Sequence, residues 1–492
     1  MVNRRVVGSV VYRGKERCML AARDTRWISL AVLCTGMLMI VLDSTVVNVA
    51  LPAIQSDLGF SQANLAWVVN AYMIAFGGLL LLAGRLGDLI GTKRVFVAGL
   101  VVFTTASLCC GIAWTAALLV AARFVQGIGG AMAASVILAM IVTTFEEGHE
   151  RTKAMSFFNF TAAGGGSIGL LLGGTVSQLL TWHWIFLINV PIGVVAAVAA
   201  VRLLPSGGGI GWREGADALG AVLITASLML AVATVVEVPA GATAAGAWTS
   251  GVVAAGLFCA FLAREMTVKK PLLPLGLFRS RNVAGSNVLQ VLLVAGMFGF
   301  FFLDSLYLRR VLGYDAMRTG LAFLPVTIVI GALSLGSAAS ITTRFGARPT
   351  LVGGILASAL GLGIFAIAPL DANYLTTLFP AMVLIGIGMG VAFPSLMSTA
   401  MLTATPSDAG MISGLINTTA QVGGAFGLAI LAVVAASRTH ALIAHGAPET
   451  AALAGGYHLS FGIAAACLAA SALVAGTVLE APAANAVVEG AG

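Results

Sequence analysis

The stretch NFTAAGGGSIGLLLGG, Asn159 to Gly174, returns 258 residues later as NTTAQVGGAFG, Asn417 to Gly427, with Asn, Thr, Ala, two adjacent Gly and a final Gly in register. GIGGA at Gly127 is answered by GIGMG at Gly386, an offset of 259, and IGTKR at Ile90 by FGARP at Phe345, an offset of 255. Three offsets this close together mark an internal duplication. The chain is two similar halves with something inserted between them.

The medium in which those halves fold follows from composition. Of the 492 residues 59% are hydrophobic and only 9% charged, and the mean hydropathy is +1.02. Soluble domains carry about 25% charged residues, so most of this surface cannot face water. Apolar runs of about 20 residues, enough to cross a ~30 Å hydrocarbon layer as a helix, recur along the chain. They are continuously apolar, not alternating, which excludes a closed β-barrel. The expectation is an all-α polytopic membrane protein.

The net charge of +7 is a topology signal. With the amino terminus placed inside, only Arg309, Arg310, Arg318 and Arg438 fall outside and Arg123 lies within a span, leaving 21 of the 26 basic residues on the inner side. That bias orients membrane helices, and no nucleic-acid partner is expected. The six cysteines are scattered without metal or redox spacing and read as packing residues. Residues 1–27 lack the sustained apolar core of a removable signal.

Six spans are expected in residues 28–205, two more in the insert 206–282, and six in 283–478, with inward tails at 1–27 and 479–492. The insert must cross an even number of times if the halves are parallel repeats, which gives fourteen spans arranged as six, two and six. The Gly-rich, charged SGGGIGWREG that opens the insert is a linker by composition.

Gly165, Gly169 and Gly173 form one stripe along span five, and Gly174 ends a second. Gly423 and Gly427 stand at matching places in the other half. Small residues at this spacing let helix backbones approach closely, as static packing or as a surface on which helices slide. GGSIG within the stripe also fits the G-x-S-x-G nucleophile pattern, but that pattern needs a strand-to-helix turn and a His partner, so no enzyme is expected.

Asp43 lies in an otherwise apolar span, a placement costly enough to demand a wet cavity or a partner. Counted from the outer ends, Asp43 and Arg123 are both about 13 Å deep, so they are able to meet. A carboxylate under the opposing influences of burial and a guanidinium can bind and release a proton; a fixed ion pair is the alternative. Asp304 is about four residues from the outer end of its span, either solvated at the rim or a counter-charge for a cationic substrate, with Arg309 and Arg310 near enough to neutralise it. In GRLGDLIGTKR, Gly84, Gly87 and Gly91 permit a tight turn that sets Asp88 near Lys93 and Arg94, a charge cluster able to latch neighbouring helices.

These motifs resemble the major facilitator superfamily (MFS) and, within it, the 14-span drug:proton antiporters. GRLGDLIGTKR is similar to the family's loop between spans two and three, LDSTVVNVALP (Leu42 to Pro52) to the span-one signature of the 14-span group, and ARFVQGIGGA to the span-four signature with its arginine. SIGLLLGG is similar to the antiporter signature of span five, with Leu170 where that family usually has proline. The resemblance implies proton coupling through Asp43 and Arg123 and an inner gate at Asp88. Polar side chains expected at a substrate cavity are Asn48, Tyr72, Gln126, Asp304, Asn417 and Gln421.

No GxxxxGK[ST] loop offers a phosphate cradle, so the expected energy source is an ion gradient and no cofactor is implied. The leading expectation is a monomeric exporter of amphipathic or cationic drugs in exchange for protons, in a bacterial cell membrane, without a periplasmic adaptor. The alternatives are a transporter of one metabolite or antibiotic, and a non-transporting sensor on the same scaffold.

Overall fold

The computed structural model describes residues 4–479 except 63, 146–148, 206–207, 210, 212–216, 238–243, 269–270, 274, 334–337 and 402–408. The side chains of 4–25 and of some positions in 149–170, 244–247, 338–343 and 409–413 are also outside the description. Most of the expected linker 206–215, the C-terminal tail from 480, and the side chain of Leu170 therefore lie outside the described residues.

The described residues form helices and no strand. The first half holds α1 (Arg4–Leu58), α2 (Trp67–Ile90), α3 (Thr92–Gly111), α4 (Ala116–Thr144), α5 (His149–Leu179), the short α6 (Trp184–Leu187) and α7 (Asn189–Leu203). The insert holds α8 (Ala218–Glu237) and α9 (Ala244–Thr267). The second half holds α10 (Arg281–Arg310), α11 (Ala316–Ala322), α12 (Leu324–Ala332), α13 (Ala338–Phe345), α14 (Ala347–Ala366), α15 (Phe379–Met401), α16 (Ala409–Ala444) and α17 (Glu449–Val478).

Twelve helical stretches among the described residues are long and apolar enough to cross a membrane. Two of the fourteen expected spans fall outside that count. One is α5, whose glycines dilute its hydropathy although it runs 31 residues. The other is α11 with α12, together only Ala316–Ala332. The break between them precedes Pro325, which has no amide hydrogen to give to the preceding turn.

The duplication is visible in the backbone. Gly91 between α2 and α3 has φ +99°, and Gly346 between α13 and α14 has φ +88°, a region closed to most side chains. Both turn the chain on the spot, so each half carries the same hairpin. Tight small-residue contacts hold neighbouring helices together: Gly99 of α3 lies on the α4 backbone at Gly129 and Ala133, and Gly354 of α14 on the α15 backbone at Gly388 and Ala392. A methyl group at either place would meet backbone atoms under 3.0 Å away.

The halves meet along three seams. At the face where α1 and α10 end, here the far face, Ser305 donates its hydroxyl to the carbonyl of Asn48 at 2.6 Å, and Arg310 donates to Gln55 Oε1 at 2.7 Å. These partners are 257 and 255 residues apart, within the range of the repeat offsets, as contacts on the axis relating two halves must be. On one side of the axis α5 meets α11, where Gly174 lies under Ala316 and Gly320. On the other α2 meets α16: Met73 against Gly424, Gly77 against Gln421, and Leu81 against Gly414. α8 backs this last seam, with Thr225 filling the space over Gly78, and Ser227 ties it to α9 through the carbonyl of Ala254 at 2.9 Å.

Candidate functional site

A polar cluster sits in the middle of the first bundle. Asp43 of α1 and Arg123 of α4 are each 1% exposed, and Arg123 Nη1 lies 2.5 Å from Asp43 Oδ2. The other carboxylate oxygen accepts from Gln126 Nε2 at 2.8 Å and Asn189 Nδ2 at 3.1 Å. Arg123 also donates from Nη1 to Gln126 Oε1 at 2.7 Å and from Nε to the carbonyl of Val68 at 2.9 Å. Ser107 of α3 closes the ring, accepting from Gln126 and Asn189 at 3.2 Å and donating to the Phe186 carbonyl at 2.9 Å.

Helix geometry explains why this cluster forms. Arg123 and Gln126 are three apart on α4 and share a face. α1 brings Asp43 to that face, and the Gly127 backbone packs against Tyr72 of α2 closely enough to leave no room for a side chain. The guanidinium lies 4.4 Å from the Tyr72 ring and 5.6 Å from that of Phe186, so aromatic faces cover what the carboxylate does not. A pair stripped of water this completely holds only because almost every lone pair and N–H has a partner. A cavity of about 20 Å³, lined by Asp43, Asn189 and apolar residues of α1, α5 and α7, adjoins it; that is room for about one water.

Placed on this frame, the expected cavity residues separate into four groups, Asp304 standing alone. Gln126 and Tyr72 belong to the Asp43 cluster, as a ligand and a cover. Asn48 belongs to the far-face seam, and the reason lies four residues on. Pro52 stands inside α1 without an amide hydrogen, so the Asn48 carbonyl has no donor in its own helix and accepts from Ser305 instead. Only Asn417 and Gln421, on α16, keep any exposure.

Asp304 is not at a solvated rim. α10 continues to Arg310, α11 folds over its end, and Asp304 is 0% exposed with neither carboxylate oxygen hydrogen-bonded. Neither nearby arginine neutralises it: no ion pair joins Asp304 to Arg309 or Arg310, and Arg310 turns to Gln55 across the seam.

The glycine stripe is likewise placed by the structure. Gly165, Gly169 and Gly173 pack on Val41, Thr45 and Val46 of α1, and Gly423 and Gly427 on Val291 and Ala295 of α10. These are helix interfaces inside each bundle, seating α5 on α1 and α16 on α10. Only Gly174, at the end of the second stripe, faces the other half. Spacing fixes which residues share a face; the partner helix is chosen by tertiary packing.

The loop cluster differs from its expectation too. Asp88 is 60% exposed and lies 3.7 Å from Arg85 on its own helix. Lys93 instead donates to the carbonyl of Leu204 at the end of α7 at 2.7 Å, and Arg94 reaches back to the Ile90 carbonyl at 3.4 Å. Gly87 lets α2 lie on Val136 of α4, while Gly84 faces Ser135 more loosely. The loop is thus tied to the end of α7 by Lys93, while Asp88 faces outward beside Arg85.

Sequence reasoning missed Asn189 and Ser107. Asn189 was legible as the amide that opens an otherwise apolar run, and Ser107 carried no signal apart from its helix.

A two-repeat helical membrane protein with a charged pair buried inside one repeat is, as a class, a secondary transporter scaffold. The chain belongs to the Major Facilitator Superfamily, whose model matches residues 33–428. It is similar to the puromycin resistance protein of Streptomyces alboniger, 36% identical over 467 residues that cover 92% of each chain. It is also similar to the cephamycin export protein of Amycolatopsis lactamdurans, 38% identical over 85% of this chain and 86% of that one. Among solved structures, a bacterial homologue of the human lysosomal transporter Spinster, inward-facing and unoccupied, superposes with a TM-score of 0.66 over 93% of this chain and 99% of that one, at 16% identity.

Proposed function

We propose that the chain is a proton-coupled exporter of amphipathic, often cationic drugs or antibiotics, working by alternating access between its two bundles. The observation that carries this reading is Asp43: a carboxylate buried within the spans, held by a guanidinium and two amides, in a chain whose relatives are named for antibiotic resistance and export. Such a group is expensive to maintain and is kept where a charge or proton must cross.

In this reading the far-face seam is the closed gate and lies on the outer side, with both termini cytoplasmic as the basic loops require. Uptake of a proton by Asp43 cancels half of the ion pair, loosens Gln126 and Asn189, and lets the first bundle repack against the second. Return of Arg123 to the ionised carboxylate resets it. The substrate would lie between the bundles, along the α16 face that carries Asn417 and Gln421, where rocking alternates access. Residues 28–205 and 283–478 act as the rocking bodies; the helices of 206–282 brace one seam. The transporter acts as a monomer in the bacterial cell membrane and needs no adaptor of its own.

The test is efflux of puromycin and of ethidium from vesicles driven by an imposed proton gradient, beside a susceptibility panel in a pump-deficient host with and without an uncoupler. Gradient-dependent efflux that Asp43→Asn abolishes is the expected result. Undiminished efflux by that variant overturns the coupling role of Asp43, and no flux of any compound on the panel overturns the exporter reading.

A further inference from the structure

Asp304 is the second aspartate buried in the spans, and the cycle described so far does not use it. It lies on α10, six residues before Arg310, about 9 Å in from the helix end. Among the described residues both its oxygens are buried and without a hydrogen-bond partner, and no cation pairs with it. The titratable groups nearest it are phenols: Tyr307 on its own helix and Tyr374 at the start of the α15 span lie within its electrostatic reach, with Tyr314 beside both. Their hydroxyls are committed elsewhere, Tyr307 to the carbonyl of Pro369 at 3.3 Å and Tyr374 to that of Ala322 at 2.9 Å. From α17, His458 packs its ring 5.8 Å from that of Tyr307, and its Nε2 is also buried without a partner.

With neither donor nor counter-charge among the described residues, a carboxyl group in such surroundings is far less costly as the neutral acid than as the ion. Even the neutral acid leaves a hydroxyl and a carbonyl unsatisfied, where a Leu would pack at lower cost. A cost of this kind inside a membrane bundle marks a working group. The neighbouring residue shows what the work is. Ser305 makes the hydrogen bond to Asn48 that closes the far face, so Asp304 is one residue from the seam whose opening changes access to water.

We propose that Asp304 is a second proton-binding group, in the second bundle: protonated while the far-face seam is closed, and ionised once parting of Ser305 from Asn48 admits water. The proton then leaves to water on the far side as H₃O⁺, and closure of the seam makes the solvated carboxylate take a proton back from that same side. No proton crosses the membrane at Asp304; the proton that crosses is the one at Asp43, and exchange at Asp304 ties opening of the seam to pH on the far side. The tie to the transport cycle rests on the exporter reading above; the protonation of Asp304 does not.

The experiment is infrared difference spectroscopy on the full chain reconstituted in liposomes, stepped between mildly acidic and mildly alkaline buffer, comparing wild type with Asp304→Asn and Asp43→Asn. The expected result is a protonated-carboxyl band that responds to pH and to D₂O, disappears in Asp304→Asn and persists in Asp43→Asn. A band unaltered by Asp304→Asn, or one insensitive to both pH and deuterium exchange, overturns the proposal, the latter by showing a permanently neutral structural acid. A second arm measures proton flux per ethidium exported. An unchanged ratio in Asp304→Asn, with efflux that responds less to pH on the far side than in wild type, supports the gating role; a lower ratio, or an unaltered pH response, overturns it. Absence of ethidium export in wild type counts against the exporter reading alone, and the infrared arm then decides.

Discussion

Asp43 and Asp304 are each buried in the opening helix of a repeat, yet one is ringed by donors and the other has none. The first bundle supplies Arg123, Gln126 and Asn189 from two helices and covers the pair with Tyr72 and Phe186. Around Asp304 the second bundle offers, among the described residues, tyrosines whose hydroxyls already point to backbone carbonyls and a histidine that stacks on one of them. Duplication copied the helices without copying the charge partner. A buried carboxylate can be stabilised as an ion by built-in donors or as an acid by a proton, and this chain holds one of each. The two halves are therefore alike as bodies and unlike as acid–base sites.

The sharpest way to break that contrast is to remove one partner. Arg123→Met leaves Asp43 buried without its counter-charge and is expected to cost about 3–5 kcal/mol, read as a large fall in the thermal unfolding midpoint of the purified protein. Asp304→Asn is expected to change stability by no more than ~1 kcal/mol in either direction, because no bond is lost; a destabilisation as large as that of Arg123→Met would reveal a hidden partner. Asp43→Asn should abolish gradient-driven efflux while downhill substrate exchange continues, which separates coupling from binding in the same vesicle assay.

The glycines offer a smaller comparison, within one helix. Gly173→Ala puts a methyl group about 2.9 Å from the Val46 carbonyl and is expected to cost about 1–3 kcal/mol by overpacking. Gly166→Ala meets nothing within 4 Å and should stabilise by roughly 0.4–1 kcal/mol through the unfolded chain. Equal effects would mean that α5 does not seat on α1 as described. The smallest expected effect is at Asp88. Its exposed pair with Arg85 is worth ~0.5 kcal/mol or less, so Asp88→Asn should leave the unfolding midpoint in place, and any loss of transport in it reports on gating.

Much of the site was legible before any coordinates. Asp43 and Arg123 stood out because charge in an apolar span is rare, and equal counts from the helix ends set them at one depth. What failed were inferences that needed to know which helix lies beside which. Asp304 looked interfacial because its distance from the helix end was counted along the chain, whereas α11 folds back and covers that end. The spacing of the glycine stripe fixed a face but not the neighbour, which proved to be α1 in one half and α10 in the other. Lys93 looked like a partner for Asp88 by proximity in sequence, and found the end of α7 instead.

By itself the sequence determined the solvent, the duplication, the number of apolar crossings to within two, and the pair of charges that had to meet. Those are properties of residue type and spacing along one helix, which local chemistry dictates. Only the tertiary structure decided that Asn189 and Ser107 complete the Asp43 cluster, that Pro52 frees a carbonyl for Ser305, and that Asp304 is left without a partner. Each of these depends on the rotation and register of two helices against each other, and packing sets those through many small contacts that no single segment encodes.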